Sequence, residues 1–534
     1  MKADILIIGS GASGVHFARR ALEAGRIVHM IDVGIGKPPA VLPSANFHEL
    51  KAQHENAHDY FLGANNESMI LPDHGDEFYG FPPSKEFVFS DPLPQETKSR
   101  GFSPLFSYAQ GGLAEAWTGG SYPFNNQELA DYPFDFQDLA PYYEDVARNI
   151  GISGADDDLS SLYPFHDGIE SPVDLDAHGS HLLATYQRKK SKFAKESFVM
   201  GRARLAVLSQ DRGERKACQK LDRCLWGCPI GSLYVPSWTL KNLMAHERFH
   251  YQSGLKVSHF KTKGSGVSSV VAIDIASGQE RNFDCENLVM AAGTLASARI
   301  FLASIAEDGS EAPELTGLMD NRQMLMPFVN LSLLGKKWDV DNYQYHQLAM
   351  GLDLGGPMDF VHGLVTTLKS ALIHPVIQNL PFSLGTSARF FREMHTALGL
   401  VNINFSDLPR SSNRVGLEKT GEGDRLMIHY EPDAAEAARI KRVAKIFRRA
   451  LRRLGCFAPK GMSHIRPMGA SVHYAGTLPM KDQGGDWTLD ATGRSRCFKN
   501  LWFVDGTGLP ALPAKNLTFT LMANAARIAE VSFA

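Results

Sequence analysis

The chain has 534 residues, too many for a single hydrophobic core, which stops growing at roughly 250–300 residues, so two intimately joined domains are expected. Hydrophobic residues at 44% and charged residues at 21% exclude a disordered or fibrous chain. A formal net charge of -3 provides no field that would gather nucleic acid or an acidic membrane, and neither is expected as a partner.

Residues 4–8 already read as a strand, which leaves no room before them for a cleavable export signal, and a cytoplasmic location is the expectation. Six cysteines are too few for a disulfide scaffold in a chain of this length and are expected as thiols. The longest uncharged stretch, 370–388, contains His374, Gln378, Asn379, Pro375 and Pro381, so it makes no membrane span.

Residues 3–14 read ADILIIGSGASG: an apolar strand runs into Gly9, Gly11 and Gly14, and a helical stretch over 15–24 follows. Gly9 permits a tight turn, Gly11 lets the backbone approach a pyrophosphate, and Gly14 lets the helix pack on the strand. The helix N-terminus then presents unpaired N–H groups to phosphate. A second strand, 27–31, ends at Asp32, where a carboxylate can accept hydrogen bonds from a ribose diol. This is a dinucleotide fingerprint in its strand-turn-helix setting, and it does not choose between NAD and FAD.

Further along, 110–118 reads QGGLAEAWT, a glycine turn before Trp117. Residues 156–180, rich in Asp, Ser, Gly and Pro, predict a long loop. Cys218, Cys224 and Cys228 stand as C-x5-C-x3-C before Pro229, a spacing that matches no standard iron–sulfur pattern, and structural thiols are expected. Residues 288–304, LVMAAGTLASARIFLAS, read as strand, turn and helix. The apolar segment 360–384 reads as a core helix interrupted by Pro375. Asp433 and Glu436 form a capping-box pattern ahead of Ile440, Val443, Ala444, Phe447 and Leu454 at helical spacing, with Gly455 as the stop. The other side of that helix, with Arg439, Arg442, Arg449, Arg452 and Arg453, reads as a solvated face. The last 35 residues or so contain a strand over 501–504, the turn Asp505-Gly506, a proline-bearing loop, and a helix beginning near Thr518.

The C-terminal run NLWFVDGTGLPALPAKNLTFTLMANAARIA closely resembles the signature of the glucose-methanol-choline oxidoreductases, in which the Asp-Gly turn and following helix hold the flavin. His473 to Met480 fits that family's HxxGTxxM motif, 288–304 is similar to its returning strand and helix, and 413–417 (NRVGL) to the strand opening its last substrate-domain hairpin. QGGLAEAWT resembles a stretch of the sugar-oxidising branch and CLWGCPIG a stretch of sugar- and sterol-oxidising members, which leaves an aliphatic or sterol alcohol open as substrate. The motifs stand in family order and span nearly the whole chain.

The resemblance implies an α/β (α+β overall) architecture: a Rossmann-like FAD-binding domain, discontinuous over 1–123, 203–316 and 461–534, and a substrate domain over 124–202 and 317–460 built on an antiparallel sheet covered by helices. It implies FAD contacts at Gly9, Gly11, Ala12, Gly14, Asp32, Gly111, Gly112, Val257, Ala292, Gly293, Asp505, Gly506, Asn516, Leu517 and Thr518. In some members a His after the Gly-Gly pair is linked covalently to the flavin; here that position is Ala116, so non-covalent FAD is expected. His473 is expected as the base that takes a hydroxyl proton, with Asn516 orienting the hydroxyl. The implied reaction is oxidation of a CH–OH group on a small polar alcohol, a sugar, glycoside or cyclitol, with an unspecified electron acceptor. A non-redox FAD-containing lyase, and a flavin subunit feeding electrons to a partner protein, stay open on the same fold.

Overall fold

The computed structural model describes residues 3–37, 45–65, 82–91, 97–164, 167–307, 311–337, 339–343, 345–356, 358–367, 380–420 and 423–534. Its first layer is a five-stranded sheet, all parallel, in the spatial order Leu501–Phe503, Asn287–Met290, Ile5–Ile8, Val28–Ile31, Phe249–Gln252. Parallel strands covered on both faces need unbroken apolar runs, and the ILII of the first strand is buried at every position. Ile5 and Ile7 join one core with Val15, Phe17 and Ile528, while Leu6 and Ile8 join another with Leu288, Met290 and Phe301. The first helix, Ala12–Glu23, packs beside the last, Thr518–Phe533. Segments from the two ends of the chain thereby meet, and the strands Asn287–Met290 and Leu501–Phe503 continue the same sheet.

The second layer is a largely antiparallel sheet of seven strands. Cys456–Phe457, Gln323–Asn330, Leu398–Phe405, Phe360–Thr367, Leu348–Asp353 and Phe198–Arg202 follow one another, and His464–Ile465 adds to Gln323–Asn330. Helices Ala177–Ala194 and Glu436–Arg453 cover one face through Leu182, Tyr186, Val443 and Phe447. The opposite face, through Phe360 and Leu364, packs on Tyr122, Tyr163 and Ala514. That second face is the one that meets the loop before the last helix. The helix Phe136–Ile150 packs on the last helix, with Tyr143 Oη and Thr520 Oγ1 2.8 Å apart. No helix among the described residues is long and apolar enough to cross a membrane.

Three local expectations are corrected. Phe360–Thr367 is a strand and not the start of a helix; it is buried at seven of eight positions, which erases the alternation that betrays a strand. The expected break at Pro375 lies outside the described residues. The stretch 156–180 is no continuous loop: it holds a 3₁₀ turn at Asp158–Ser161, a short strand at Ile169–Glu170, and the start of a helix whose first turn is capped by Asp176. The helix after Asp433 forms as expected, over Glu436–Arg453, but without a capping box, because Glu436 pairs with Arg322 at 2.9 Å. On its polar face Arg449 and Arg453 both engage Glu196, and Arg439 engages Asp359, so only part of that face is solvated.

Candidate active site

A cleft opens at the C-terminal ends of the parallel strands, where doubly wound sheets bind ligands. Thirteen of the expected cofactor contacts line it: Gly9, Gly11, Ala12, Asp32, Gly111, Gly112, Val257, Ala292, Gly293, Asp505, Gly506, Leu517 and Thr518. Gly14 and Asn516 do not. Gly14 serves the turn from behind, since a Cβ there would stand 2.2 Å from Gly9 O. Gly9 itself has φ +100°, and its Cβ would stand 2.6 Å from Ala291 O, so only glycine lets the turn sit this close to the returning strand.

Asp32 ends its strand inside the cleft. Its carboxylate accepts from Ser10 N at 3.2 Å and from Ser10 Oγ, and Ser10 Oγ in turn accepts from Gly111 N at 3.0 Å. Desolvation outweighs these bonds and pushes Asp32 up to about 6. At the far end Asp505 is buried and accepts from Gly293 N at 2.9 Å, Ser297 Oγ at 2.5 Å and Thr507 N at 3.0 Å, which ties the last strand to the helix of the returning unit. Leu517 and Thr518 bring the N-terminus of the last helix to the cleft.

His473 and Asn516 stand just outside that lining, next to Val472, Tyr474 and Leu517, which belong to it. The structure brings the pair together: Asn516 Nδ2 is 3.4 Å from His473 Nε2. Burial, with a smaller contribution from the Arg466 charge, pulls His473 down to about 4, so its ring is neutral near neutral pH. The segment that carries it is strained. Val472 and Thr477 are β-branched residues at φ +60° and +89°. Asp320, buried and pushed up to about 7, holds this segment by accepting from Gly469 N at 2.6 Å and from Ser471 Oγ, while Ser471 Oγ accepts from His473 N at 3.0 Å.

Several contributors carried no sequence signal. Asn321 contacts the other ring nitrogen of His473, and Lys515 is locked to Glu128 one residue before Asn516. His362 lies on the facing strand, with Nδ1 bonded to Tyr163 Oη and Nε2 buried without a protein partner. Lys515 lies within the C-terminal signature, but its partner Glu128 does not, and Asn321 and His362 sit in no recognisable motif; each makes a contact distant in sequence.

Cys218, Cys224 and Cys228 share an apolar cluster with Leu233 and Tyr343. All six cysteines are thiols. Among the described residues no group of three His, Cys, Asp or Glu is placed to hold a metal ion. Ala116 packs with Phe87, Val88 and Ala109 and is not among the residues lining the cleft.

No family model matches the chain. Paromamine 6'-oxidase of Streptomyces fradiae is 24% identical over 99% of this chain and 90% of its own length. The 6'''-hydroxyparomomycin C oxidase of Streptomyces lividus is 25% identical over 98% of this chain and 90% of its own length. Among solved structures, formate oxidase of Aspergillus oryzae is 11% identical and superposes with a TM-score of 0.64 over 99% of this chain and 97% of its own. From first strand to last helix, the chain has the fold of the glucose-methanol-choline flavoprotein oxidoreductases.

Proposed function

We propose that the protein oxidises a CH–OH group of a small polar alcohol of the sugar, aminosugar or cyclitol type, using FAD held without a covalent link. The observation that carries this reading is the His473–Asn516 pair, 3.4 Å apart, at the edge of a cleft whose glycines and Asp32 suit a dinucleotide. The relatives' action on paromamine and hydroxyparomomycin C supports the substrate class, and their designation as oxidases supports dioxygen as the electron acceptor.

The residues present fit FAD. Gly9, Gly11 and Ala12 with the first helix N-terminus would hold the pyrophosphate, Asp32 the ribose, and Gly111, Gly112, Val257, Ala292, Gly293, Asp505, Gly506, Leu517 and Thr518 the remainder, with Gly14 and Asn516 in support. Ala116 offers no nucleophile, and the described residues lining the cleft include neither His nor Cys, which supports a non-covalent cofactor. When bound, FAD would supply the acceptor for the hydride leaving the alcohol carbon. His473 Nε2 takes the hydroxyl proton, being neutral and therefore a competent base. Asn516 orients the hydroxyl toward that nitrogen, and the N-terminal dipole of the last helix favours the negative charge that develops in the cleft. Segments 1–123, 203–316 and 461–534 would serve the cofactor, and 124–202 and 317–460 the substrate.

Anaerobic mixing of the FAD-loaded protein with paromamine, monosaccharides and cyclitols tests the reading. One of these should bleach the flavin absorbance, and readmitted air should restore it with release of hydrogen peroxide. Turnover of a substrate without any bleaching would replace oxidation with non-redox chemistry.

A further inference from the structure

We propose that Asn321 is a positioning residue that fixes the tautomer of His473, placing the proton on Nδ1 and leaving Nε2 bare toward Asn516. The backbone sets up the encounter. Met319 and Ala475 form an antiparallel bridge, with N–H···O distances of 2.9 and 3.1 Å in the two directions. Asn321 and His473 each stand two residues from this isolated bridge, one on either segment, and their side chains meet. The Asn321 side chain, 1% exposed, lies 3.0 Å through Oδ1 from His473 Nδ1.

The chemistry of the amide decides which atom faces the ring. Asn321 Nδ2 donates to Phe405 O at 2.8 Å and to Pro513 O at 3.0 Å, which uses both of its hydrogens. A flipped amide would set Oδ1 against two carbonyl oxygens in a buried site and lose both bonds, at the full desolvation penalty. Oδ1 therefore faces His473, and an amide oxygen only accepts. The neutral imidazole has one proton, and it must stand on Nδ1. Nε2 is left with its lone pair, which accepts from Asn516 Nδ2 at 3.4 Å and is the ring's one site for taking a further proton.

Neighbouring Asp320 holds the same segment through Gly469 N and the Ser471 hydroxyl, so two consecutive residues control the position and the protonation pattern of one imidazole. The same Asn321 amide ties the strand end at Phe405 to Pro513, three residues before Asn516, so both members of the pair are referred to one side chain. The importance of Nε2 for turnover rests on the proposed function; the tautomer does not.

The test is a long-range ¹H–¹⁵N correlation spectrum of the FAD-loaded protein with ¹⁵N-labelled histidine rings, the His473 signals being those lost in His473→Gln. The expected pattern near neutral pH is a protonated Nδ1 and an unprotonated Nε2. In Asn321→Ala, with FAD content and melting behaviour confirming the fold, the ring should become a mixture of both tautomers. In Asn321→Asp, a carboxylate beside Nδ1 should raise the pH at which the ring titrates. A wild-type ring protonated at Nε2, or an unchanged Nδ1–H pattern in folded Asn321→Ala, overturns the proposal. None of these spectra requires turnover, so a failure to find any alcohol that reduces the flavin would sink the functional reading and leave this result standing.

Discussion

Lys515 donates to Glu128 at 2.5 Å, and both side chains are withdrawn from water. Two carbonyls, Pro123 O at 2.9 Å and Leu162 O at 3.0 Å, take the other ammonium protons. The ammonium also lies over the Tyr163 ring at 4.7 Å. Lys515 thus ties the loop that presents Asn516 to segments far away in sequence.

Removing one member of such a pair strands the other charge, which costs about 3–5 kcal/mol, whereas removing both costs much less. Lys515→Met should therefore lower the urea midpoint strongly, and Lys515→Met combined with Glu128→Gln should recover most of the loss. If single and double variants unfold at the same urea concentration, the ion pair is not what secures the loop.

Asp32 makes a prediction about cofactor retention. Its replacement by Ala removes charge-assisted hydrogen bonds worth about 1.5–3 kcal/mol, or roughly ten- to a hundredfold in FAD affinity, while leaving the chemistry of bound flavin largely intact. The pH dependence has a definite sign. The carboxyl is raised to about 6, and the ionised form is the better acceptor for a ribose diol, so FAD affinity should fall as pH drops through about 6. Asp32→Asn should abolish that dependence. Equal FAD affinity in wild type and Asp32→Ala, measured by flavin fluorescence, would place the ribose elsewhere.

The attachment of the cofactor is checked more simply. With Ala116 packed in an apolar cluster and neither His nor Cys among the described lining residues, acid precipitation should release all of the yellow colour into the supernatant. Flavin that stays in the washed pellet would show a covalent bond to a side chain of another kind.

How far the sequence could be read depended on the range of each constraint. The glycine turn was legible because its demands are local: Gly9 needs a positive φ, and Gly14 is crowded by Gly9, five residues away. Asp505-Gly506 was legible through the family resemblance and not through local demands, since Gly506 is confined by Tyr474 O and Thr294 Oγ1, both distant in sequence. Asn321 was not, since its meaning arises only when the 319–475 bridge forms. Nor was the pairing of Lys515 with Glu128, which spans most of the chain. The capping-box pattern at Asp433 failed because the local signal lost to a long-range partner, Arg322, that no short window contains. The strand Phe360–Thr367 was hidden by burial on both faces.

His473 and Asn516 are expected to act on the chemical step and not on cofactor binding. In His473→Ala the hydroxyl proton has no positioned acceptor, so anaerobic flavin reduction at saturating substrate should slow by something like 10²–10⁴-fold, the usual worth of general base catalysis. FAD content should stay near normal, because His473 is not among the residues lining the cleft. Asn516→Ala should cost less, since an orienting hydrogen bond is lost while the base remains. The wild-type rate has a predictable pH profile: burial lowers the imidazole to about 4, so the base is available throughout the neutral range. The rate should hold there, fall as pH drops toward about 4, and lose that break in His473→Ala. A His473→Ala protein that reduces its flavin at close to the wild-type rate would make the imidazole a structural group, and the proton would have to leave by another route.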